Sequence, residues 1–229
     1  MKTVISAMAL VAFAGVANAQ QLLWDFNSQP SDSATGTGTL LPIIGTGSIS
    51  LIGGTTSTFA SGNTGGGSSD TEVANDSELS VSTWSAQGVG SGDRGIEFAF
   101  STLNYNSNFF DFDVRFSNSM SKFVEVLVSV GGGSFSSLGV ITGAGDTRFN
   151  NQSIALGAAA DNQADVRVRV VSIFAPSTSA YATANPASAY AATGTLRIDM
   201  VSVEGTLVPT PGAAALVGLG GLVIARRRR

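Results

Sequence analysis

The chain of 229 residues contains no cysteine and no histidine. Without histidine, neither Ser-His-Asp nor Cys-His catalysis is available, and no histidine-ligated zinc or iron site can form. Without cysteine, the fold must depend on its hydrophobic core rather than on disulfides, which is feasible for an exported domain of sufficient size. The chemistry that remains is that of carboxylates or of calcium bound by oxygen ligands.

Charged side chains are also sparse, at 12% of the chain, and they are unevenly placed. All 16 acidic residues fall within residues 20–208, together with seven basic ones, which gives this region a formal charge of −9. A domain of this charge repels phosphate backbones, so nucleic acid is not expected as a partner. Its length of about 190 residues is enough for one domain with a sizeable core.

The first 19 residues have the pattern of a secretory signal peptide. Lys2 is followed by an apolar stretch over residues 4–16 and then by Ala17-Asn18-Ala19, a small-x-small cleavage site. We expect signal peptidase to cut after Ala19. The alternative is an N-terminal anchor helix, which the short run and the well-formed cleavage site disfavour.

The C-terminus carries three features in order. Pro209-Thr210-Pro211 comes first, then an apolar run over residues 213–225, then four arginines at the end of the chain, Arg226, Arg227, Arg228 and Arg229. As a helix the run would span about 20 Å, short of the roughly 30 Å hydrocarbon core of a bilayer. Such a segment is better suited to transient membrane insertion and removal than to permanent anchoring.

This tail, residues 208–229, resembles the PEP-CTERM sorting signal of Gram-negative bacteria. In that family a Pro-Glu-Pro motif precedes a membrane segment and an arginine cluster, whereas this chain has Thr210 at the glutamate position. The resemblance implies processing by an exosortase-like membrane enzyme. It also implies delivery to the cell envelope, the cell surface or the extracellular matrix.

The region between the two signals has the alternating pattern of β-strands. Over residues 109–116, phenylalanine and valine at even positions alternate with Asp111, Asp113 and Arg115 at odd ones. Other strands are predicted over residues 21–26, 48–52, 77–84, 96–100, 123–130, 138–142, 148–156, 165–174 and 195–205. The parity change at Asp199-Met200 indicates a β-bulge, and residues 55–69, 131–137 and 175–193 are predicted to be loops. These features predict an all-β antiparallel sandwich, which an N-terminal signal helix and a C-terminal hydrophobic sorting helix would flank.

A second resemblance covers most of residues 24–205. The segments at residues 112–126, 145–151, 168–174 and 194–205 look like those of a jelly-roll module found in exported bacterial proteins with this kind of tail. The resemblance implies an antiparallel jelly-roll β-sandwich over residues 20–207, similar in architecture to lectin-like and carbohydrate-binding domains. No set of catalytic residues accompanies it.

Asp111 and Asp113 form the candidate carboxylate pair. Two residues apart on one strand, they lie about 6.6 Å apart on the same face, and carboxyl pairs at about 5–9.5 Å can cleave glycosidic bonds. Any acidic pair at this spacing meets the same condition, so the alternative is a solvated face. In that case Arg115, Arg167 and Arg169 would neutralise the acids across neighbouring strands.

Two further sets of residues are candidates for binding. Asp70, Glu72, Asp76 and Glu78 cluster beside a glycine-rich segment and could hold calcium, although the spacing is not that of an EF-hand. The alternative is a solubilising loop. The aromatic candidates for stacking on sugar rings, expected at loop or rim positions, are Trp84, Tyr181 and Tyr190.

Together these features predict an exported, non-enzymatic surface protein with a structural or adhesive role, binding extracellular polysaccharide. The alternative is a glycoside hydrolase-like enzyme that uses a carboxylate pair. A binding module requires a concave face with exposed aromatic and acidic side chains. An enzyme requires a carboxyl group that lies in a cleft and has a pKa raised by burial.

Overall fold

A computed structural model describes residues 18–208. The predictions for Ala17 and for the whole sorting motif, from Pro209 to Arg229, fall outside the described residues. Ala19 lies inside them, in the first strand.

The regular structure of residues 18–208 consists of eleven strands and two single 3-10 turns, at Thr64–Gly66 and Ala158–Ala160. None of it is a helix long and apolar enough to cross a bilayer. The strands are β1 (Asn18–Trp24), β2 (Gly47–Ile52), β3 (Thr56–Ser61), β4 (Ser77–Ser82), β5 (Gly95–Phe100), β6 (Tyr105–Phe116), β7 (Phe123–Val130), β8 (Ser136–Thr142), β9 (Thr147–Ala155), β10 (Val166–Ser172) and β11 (Leu196–Leu207).

The strands form two antiparallel sheets. The six-stranded sheet has the order β3-β4-β11-β6-β9, with β1 also paired to β11, and the five-stranded sheet has the order β2-β5-β10-β7-β8. The last eight strands are arranged as β4-β11-β6-β9 in one sheet and β5-β10-β7-β8 in the other, which is the strand order of a jelly roll. The predicted all-β antiparallel sandwich is therefore confirmed.

The core lies between the sheets and is built by alternate residues of each strand. On β6 the even-numbered side chains from Phe110 to Phe116 are fully buried, as their alternation predicts. Trp24 packs against Phe98, and Phe98 against Phe110, with ring centroids 5.5 and 5.4 Å apart. Each such side chain contributes roughly 1.5–3 kcal/mol on burial, so the two layers need no disulfide between them.

The local features of the strands agree with the sequence in most places. The predicted bulge in β11 is present, because pairing with β6 shifts register between Asp199 and Ser202 and Met200 has a φ of 47°. The predicted loop over residues 55–69 is wrong in its first part, where β3 pairs with β4 along its whole length. Its serine- and threonine-rich composition hides the strand, although Phe59 packs against the core.

The two ends of the described region meet on one strand. β1 pairs with the second half of β11, so that Asn18 lies opposite Thr206 and Trp24 opposite Val201. β4 occupies the first half of the same edge, opposite Leu196 to Ile198. The first and last strands of the domain are therefore hydrogen-bonded neighbours.

Candidate functional site

A loop over residues 62–76, here called the cover loop, crosses part of the outer face of the six-stranded sheet. Beneath it, the Asp113 carboxylate accepts hydrogen bonds from two backbone N–H groups, that of Ser69 in the cover loop at 2.5 Å and that of Asn151 in β9 at 2.7 Å. Asp113 is only 1% exposed. The prediction that it contacts a ligand or pairs with Asp111 in catalysis does not hold, because the cover loop occupies one of its oxygens and β9 the other.

An ion network lies beside Asp113 under the same loop. Glu78 is fully buried and accepts from Arg148 at 2.6 Å and from Arg197 at 2.8 Å. Arg115, expected to pair across the strands, instead binds Asp146 at 2.8 Å. Losing one member of such a buried network leaves an uncompensated charge, which typically costs about 3–5 kcal/mol. The network therefore fixes the cover loop and the strands beneath it.

Arg167 and Arg169, the other two predicted partners of the β6 acids, are far from them. Both lie on β10 in the five-stranded sheet, where Arg169 binds Glu97 at 2.7 Å and Arg167 binds Asp165 at 3.1 Å. The sequence pattern showed that these arginines point outward but not which sheet carries them. Their predicted role in neutralising Asp111 and Asp113 is therefore wrong.

The four predicted calcium ligands do not converge on one point. Asp70 accepts from the Asn27 amide at 2.7 Å and from the Glu72 backbone at 2.8 Å, and Glu72 itself is exposed. Asp76 is buried beside Ser68, while Glu78 is held by its two arginines. Within residues 18–208, no group of three or more acidic side chains is arranged to hold a metal. A solubilising loop is not the right description either, since Asp76 and Glu78 are buried.

Asp199 is a buried acid that the sequence analysis treated only as part of a bulge. It lies opposite Asp113 on the outer face of β11 and is completely buried. One oxygen accepts the Met200 N–H at 2.8 Å, and the other has no hydrogen-bond partner among the described residues. Burial raises the pKa of Asp199 to about 9 and also raises the pKa of Asp76. Burial beside Asp76 therefore favours the protonated form of Asp199 in the folded domain.

Next to the cover loop, the outer face of the same sheet is open and forms a groove of about 460 Å³, here called the acidic groove. It runs between β1, β11, β6 and β9. Its apolar surface comes from Leu23, Met200 and Phe109, and Phe109 is 36% exposed. The polar groups around these three residues are Asn18, Gln20, Ser69, Asp111, Asn151, Ser153, Ser202 and Glu204.

The two carboxylates of the acidic groove come from adjacent strands. Asp111 pairs with Ser202 and Phe109 with Glu204, so Asp111 and Glu204 are diagonal neighbours on one face, a spacing of about 7–8 Å. Burial raises the pKa of Asp111, and the hydroxyl of Ser153, its partner on β9, opposes that rise. Asp111 therefore lines the open groove, and its role as a ligand-binding residue stays a prediction.

Three further residues contribute to the groove: Asp113, which supports its wall, and Phe109 and Glu204, which line it. Both backbone groups that Asp113 holds belong to groove-lining residues, Ser69 and Asn151. Asp113 thus positions the wall of the site rather than contacting its contents. Phe109 and Glu204 were missed, although Phe109 has the same strand parity as Asp111 and could have been found by that signal.

The predicted aromatic residues meet in a second place. Tyr181 and Tyr190 stack with centroids 4.6 Å apart, and Phe174 packs edge-on against Tyr181 at 4.7 Å. Their hydroxyls donate to the backbone carbonyls of Gly90 and Ser85 at 2.9 and 2.7 Å. Burial raises the pKa of Tyr190. They line a cavity of about 410 Å³ with Gln87, Lys122 and residues of the 182–188 loop.

Trp84, the third predicted aromatic, belongs to the core. It is 1% exposed, and its indole N–H donates to the Gly194 carbonyl at 2.9 Å. The prediction that it lies on a rim is wrong, because the 192–195 segment packs over it and pairs with its backbone. Its glycine-rich neighbours in the sequence are turns, which do not expose it.

Comparisons with known proteins show no family for this chain. No protein-family model matches the chain, and no curated protein matches it in sequence. Among solved structures, a CBM61 module in complex with β-1,4-galactotriose is 12% identical, with 69% of this chain and 86% of that one covered and a TM-score of 0.40. A xylan-binding domain from CBM 22 is 13% identical, with 71% and 88% covered and a TM-score of 0.42.

The K3 cleaved adhesin domain of Lys-gingipain from Porphyromonas gingivalis W83 is 14% identical, with 81% and 98% covered and a TM-score of 0.43. Similarity at this level concerns the arrangement of strands. What this chain binds has to follow from its own groove.

Proposed function

We propose that this chain is an exported, non-enzymatic surface protein whose β-sandwich binds extracellular polysaccharide in the acidic groove. The observation that carries the proposal is the composition of that groove, an exposed phenylalanine on an apolar surface surrounded by hydrogen-bonding side chains. A sugar ring offers the complementary groups, an apolar C–H face and a rim of hydroxyls. Binding sites in general combine apolar area with a few fixed polar groups in this way.

The position of the groove suits this task. Its carboxylates and hydroxyls stand on strands of a packed sheet, which hold them more firmly than loops would. The one wall that comes from a loop is fixed by Asp113 through Ser69. Its volume of about 460 Å³ lies within the usual range of small-molecule sites, about 300–1,000 Å³. It is open along the sheet, as a site for a polymer must be.

Export and sorting form the second part of the proposal. The signal-like residues 1–19 and the PEP-CTERM-like residues 208–229 support secretion, processing by signal peptidase and an exosortase-like enzyme, and location at the envelope, surface or matrix. The role there is structural or adhesive. Mass spectrometry of the protein recovered from cells tests this part. We expect termini near Gln20 and Pro209, and an intact chain in the cytosol would contradict it.

The binding proposal is tested by a glycan array followed by calorimetric titration of the best saccharide. We expect Phe109→Ala to weaken binding about tenfold or more, about 1.4 kcal/mol, because it removes the aromatic surface of the groove. Phe135→Ala is the matched control, since Phe135 lies outside the groove in the loop between β7 and β8, with the Arg169 guanidinium over its ring. No saccharide on the array, or equal losses from both variants, would refute the proposal.

The glycoside hydrolase alternative also has a specific observation in its favour. Asp111 has a raised pKa in a groove, and Glu204 lies diagonally across from it at a spacing that a hydrolase could use. The predicted pair itself is lost, however, because Asp113 is sequestered. Incubation with the bound saccharide and measurement of reducing ends separates the two functions. Hydrolysis abolished by Asp111→Asn would establish the enzyme.

A further inference from the structure

We propose that the saccharide bound in the acidic groove carries protonated amino groups, as in a polymer of hexosamine units with free amines. This inference rests on the proposed function and specifies its ligand class. It follows from the charges that line the groove and from where the basic side chains of the domain lie.

Among the side chains that line the groove, only negative charge is present. Asp111 and Glu204 line it, and no lysine or arginine does. Within residues 18–208, neither of these acids forms an ion pair. The arginines nearest in the sheet are committed beneath the cover loop to Glu78 and Asp146. If signal peptidase cuts after Ala19, the new α-amino group of Gln20 lies opposite Glu204 in the β1–β11 pairing and can neutralise that acid. The charge of Asp111 is therefore the one left for the ligand to neutralise.

Burial makes a cationic ligand more favourable than a neutral one. Asp111 is already half-buried, so its ionised form has lost part of its hydration before any ligand arrives. A sugar that covers Asp111 displaces more of the water around its carboxylate. An ammonium group compensates for this lost hydration better than a hydroxyl does, because charged hydrogen bonds are roughly twice as strong as neutral ones. An ammonium within about 4–6 Å would also favour the ionised form of Asp111.

The same charges select against other polymers. A uronic acid or sulfated sugar would bring a third negative charge against two carboxylates, a repulsion that supports specificity. The formal charge of −9 over residues 20–208 acts in the same direction at longer range, raising the rate at which cationic chains arrive. The groove is thus matched to a cationic saccharide both locally and at a distance.

The test is titration of the domain near neutral pH with four oligosaccharides of equal length. They are a β-1,4-glucosamine oligomer, its fully N-acetylated form, an uncharged xylo-oligomer and an oligouronate, the last with and without calcium. We expect the free-amine oligomer to bind at least about tenfold more tightly than the others, with an affinity that falls as salt is added.

The possible outcomes separate this inference from the proposed function. Equal or tighter binding of the N-acetylated or the xylo-oligomer would overturn the inference and leave polysaccharide binding intact. Calcium-dependent binding of the uronate would overturn it as well. If none of the four binds and a wider glycan array is also blank, the proposed function fails with it.

Variants then assign the effect to the groove. Asp111→Asn should weaken binding of the free-amine oligomer about tenfold, and Glu204→Gln should weaken it less, because the α-amino group of Gln20 lies opposite Glu204 in the mature chain. Both variants should leave binding of the N-acetylated form within about twofold. Glu125→Gln is the matched control for Glu204→Gln, because it removes one charge from the five-stranded sheet, outside the groove. Circular dichroism verifies that each variant is folded. A loss as large from Glu125→Gln would show that net charge, not the groove, attracts the ligand.

Discussion

At the scale of the residue, the most informative contrast is between two aspartates of β6. Asp111 and Asp113 are the same residue type on the same face of one strand, yet one lines an open groove and the other is buried under the cover loop. The difference is due to Ser69, which is 44 positions away from Asp113 in the sequence. Local alternation predicts which way both side chains point, but not which of them a distant loop will cover.

Asp199 gives a residue-scale prediction about stability and pH. Its folded pKa of about 9 lies far above the ordinary aspartate value, so the folded state holds one more proton than the unfolded state between about pH 4 and pH 9. We expect the free energy of unfolding to fall as pH rises through this window, by at most about 1.4 kcal/mol per pH unit from this group. The raised pKa of Asp76 acts in the same direction.

Asp199→Asn should remove most of this pH dependence and stabilise the domain near neutral pH, because asparagine does not have to take up a proton on folding. Urea unfolding at several pH values measures both effects. Asp93→Asn, at an exposed position, is the control and should leave the slope as it is. A wild-type stability that rises toward pH 9 would show that Asp199 ionises freely in the folded state.

At the scale of the element, the cover loop determines what the six-stranded sheet can do. We expect Asp113→Asn to loosen the cover loop. The side-chain oxygen of asparagine can accept a hydrogen bond from one of the two backbone N–H groups, but its NH2 group, itself a donor, would face the other. Hydrogen exchange of the 62–76 amides should quicken about tenfold or more, given about 1.5–3 kcal/mol for a hydrogen bond to a charged group. Saccharide binding should weaken too, since Ser69 and Asn151 line the groove.

The exchange rates of the β10 amides, in the other sheet, should remain unchanged in Asp113→Asn, which distinguishes local loosening from general destabilisation. Asp165→Asn is the control substitution, because Asp165 pairs with an exposed arginine outside the cover loop. If the cover loop exchanges at the same rate in Asp113→Asn and wild type, Asp113 does not hold it.

The strands also show how much of the fold can be predicted from the sequence pattern. Strands with apolar alternation, such as β6, β7 and β10, are predicted because each buries one face, and the bulge of β11 is predicted because its parity breaks there. β3 lacks that alternation and is held by pairing with β4, a contact that the pattern of neither strand specifies alone. Similarly, Asp111 lines the open groove, whereas Trp84, predicted to lie on a rim, is buried. The sequence does not show this difference, because exposure depends on which segments pack over a turn.

At the scale of the whole molecule, signal cleavage tests how much the first strand contributes to the stability of the domain. Cutting after Ala19 would remove Asn18 and Ala19 from β1 and keep Leu22 and Trp24, which are in the core. We expect a chain that begins at Gln20 to lose less than about 1 kcal/mol relative to one that begins at Asn18, because the side-chain hydrogen bond lost, from Thr206 to Asn18, is exposed. Thermal and urea unfolding measure the difference.

A chain that begins at Asp25 is the comparison, and it should lose several kcal/mol, because Leu22 and Trp24 leave the core. The opposite ranking, with the Gln20 chain unfolded, would show that the cleavage site lies elsewhere.

The pairing of the first strand with the last has a further consequence for a tethered molecule. Asn18 and Thr206 sit side by side, and the acidic groove is lined from the same pole of the sandwich, by Asn18, Gln20 and Glu204. A C-terminal tail anchored to a surface would, from its attachment after Val208, hold the groove close to that surface. While the tail is intact, the groove can bind only polysaccharide chains that lie near that surface. Cleavage of the tail would allow the same groove to bind and connect material farther away.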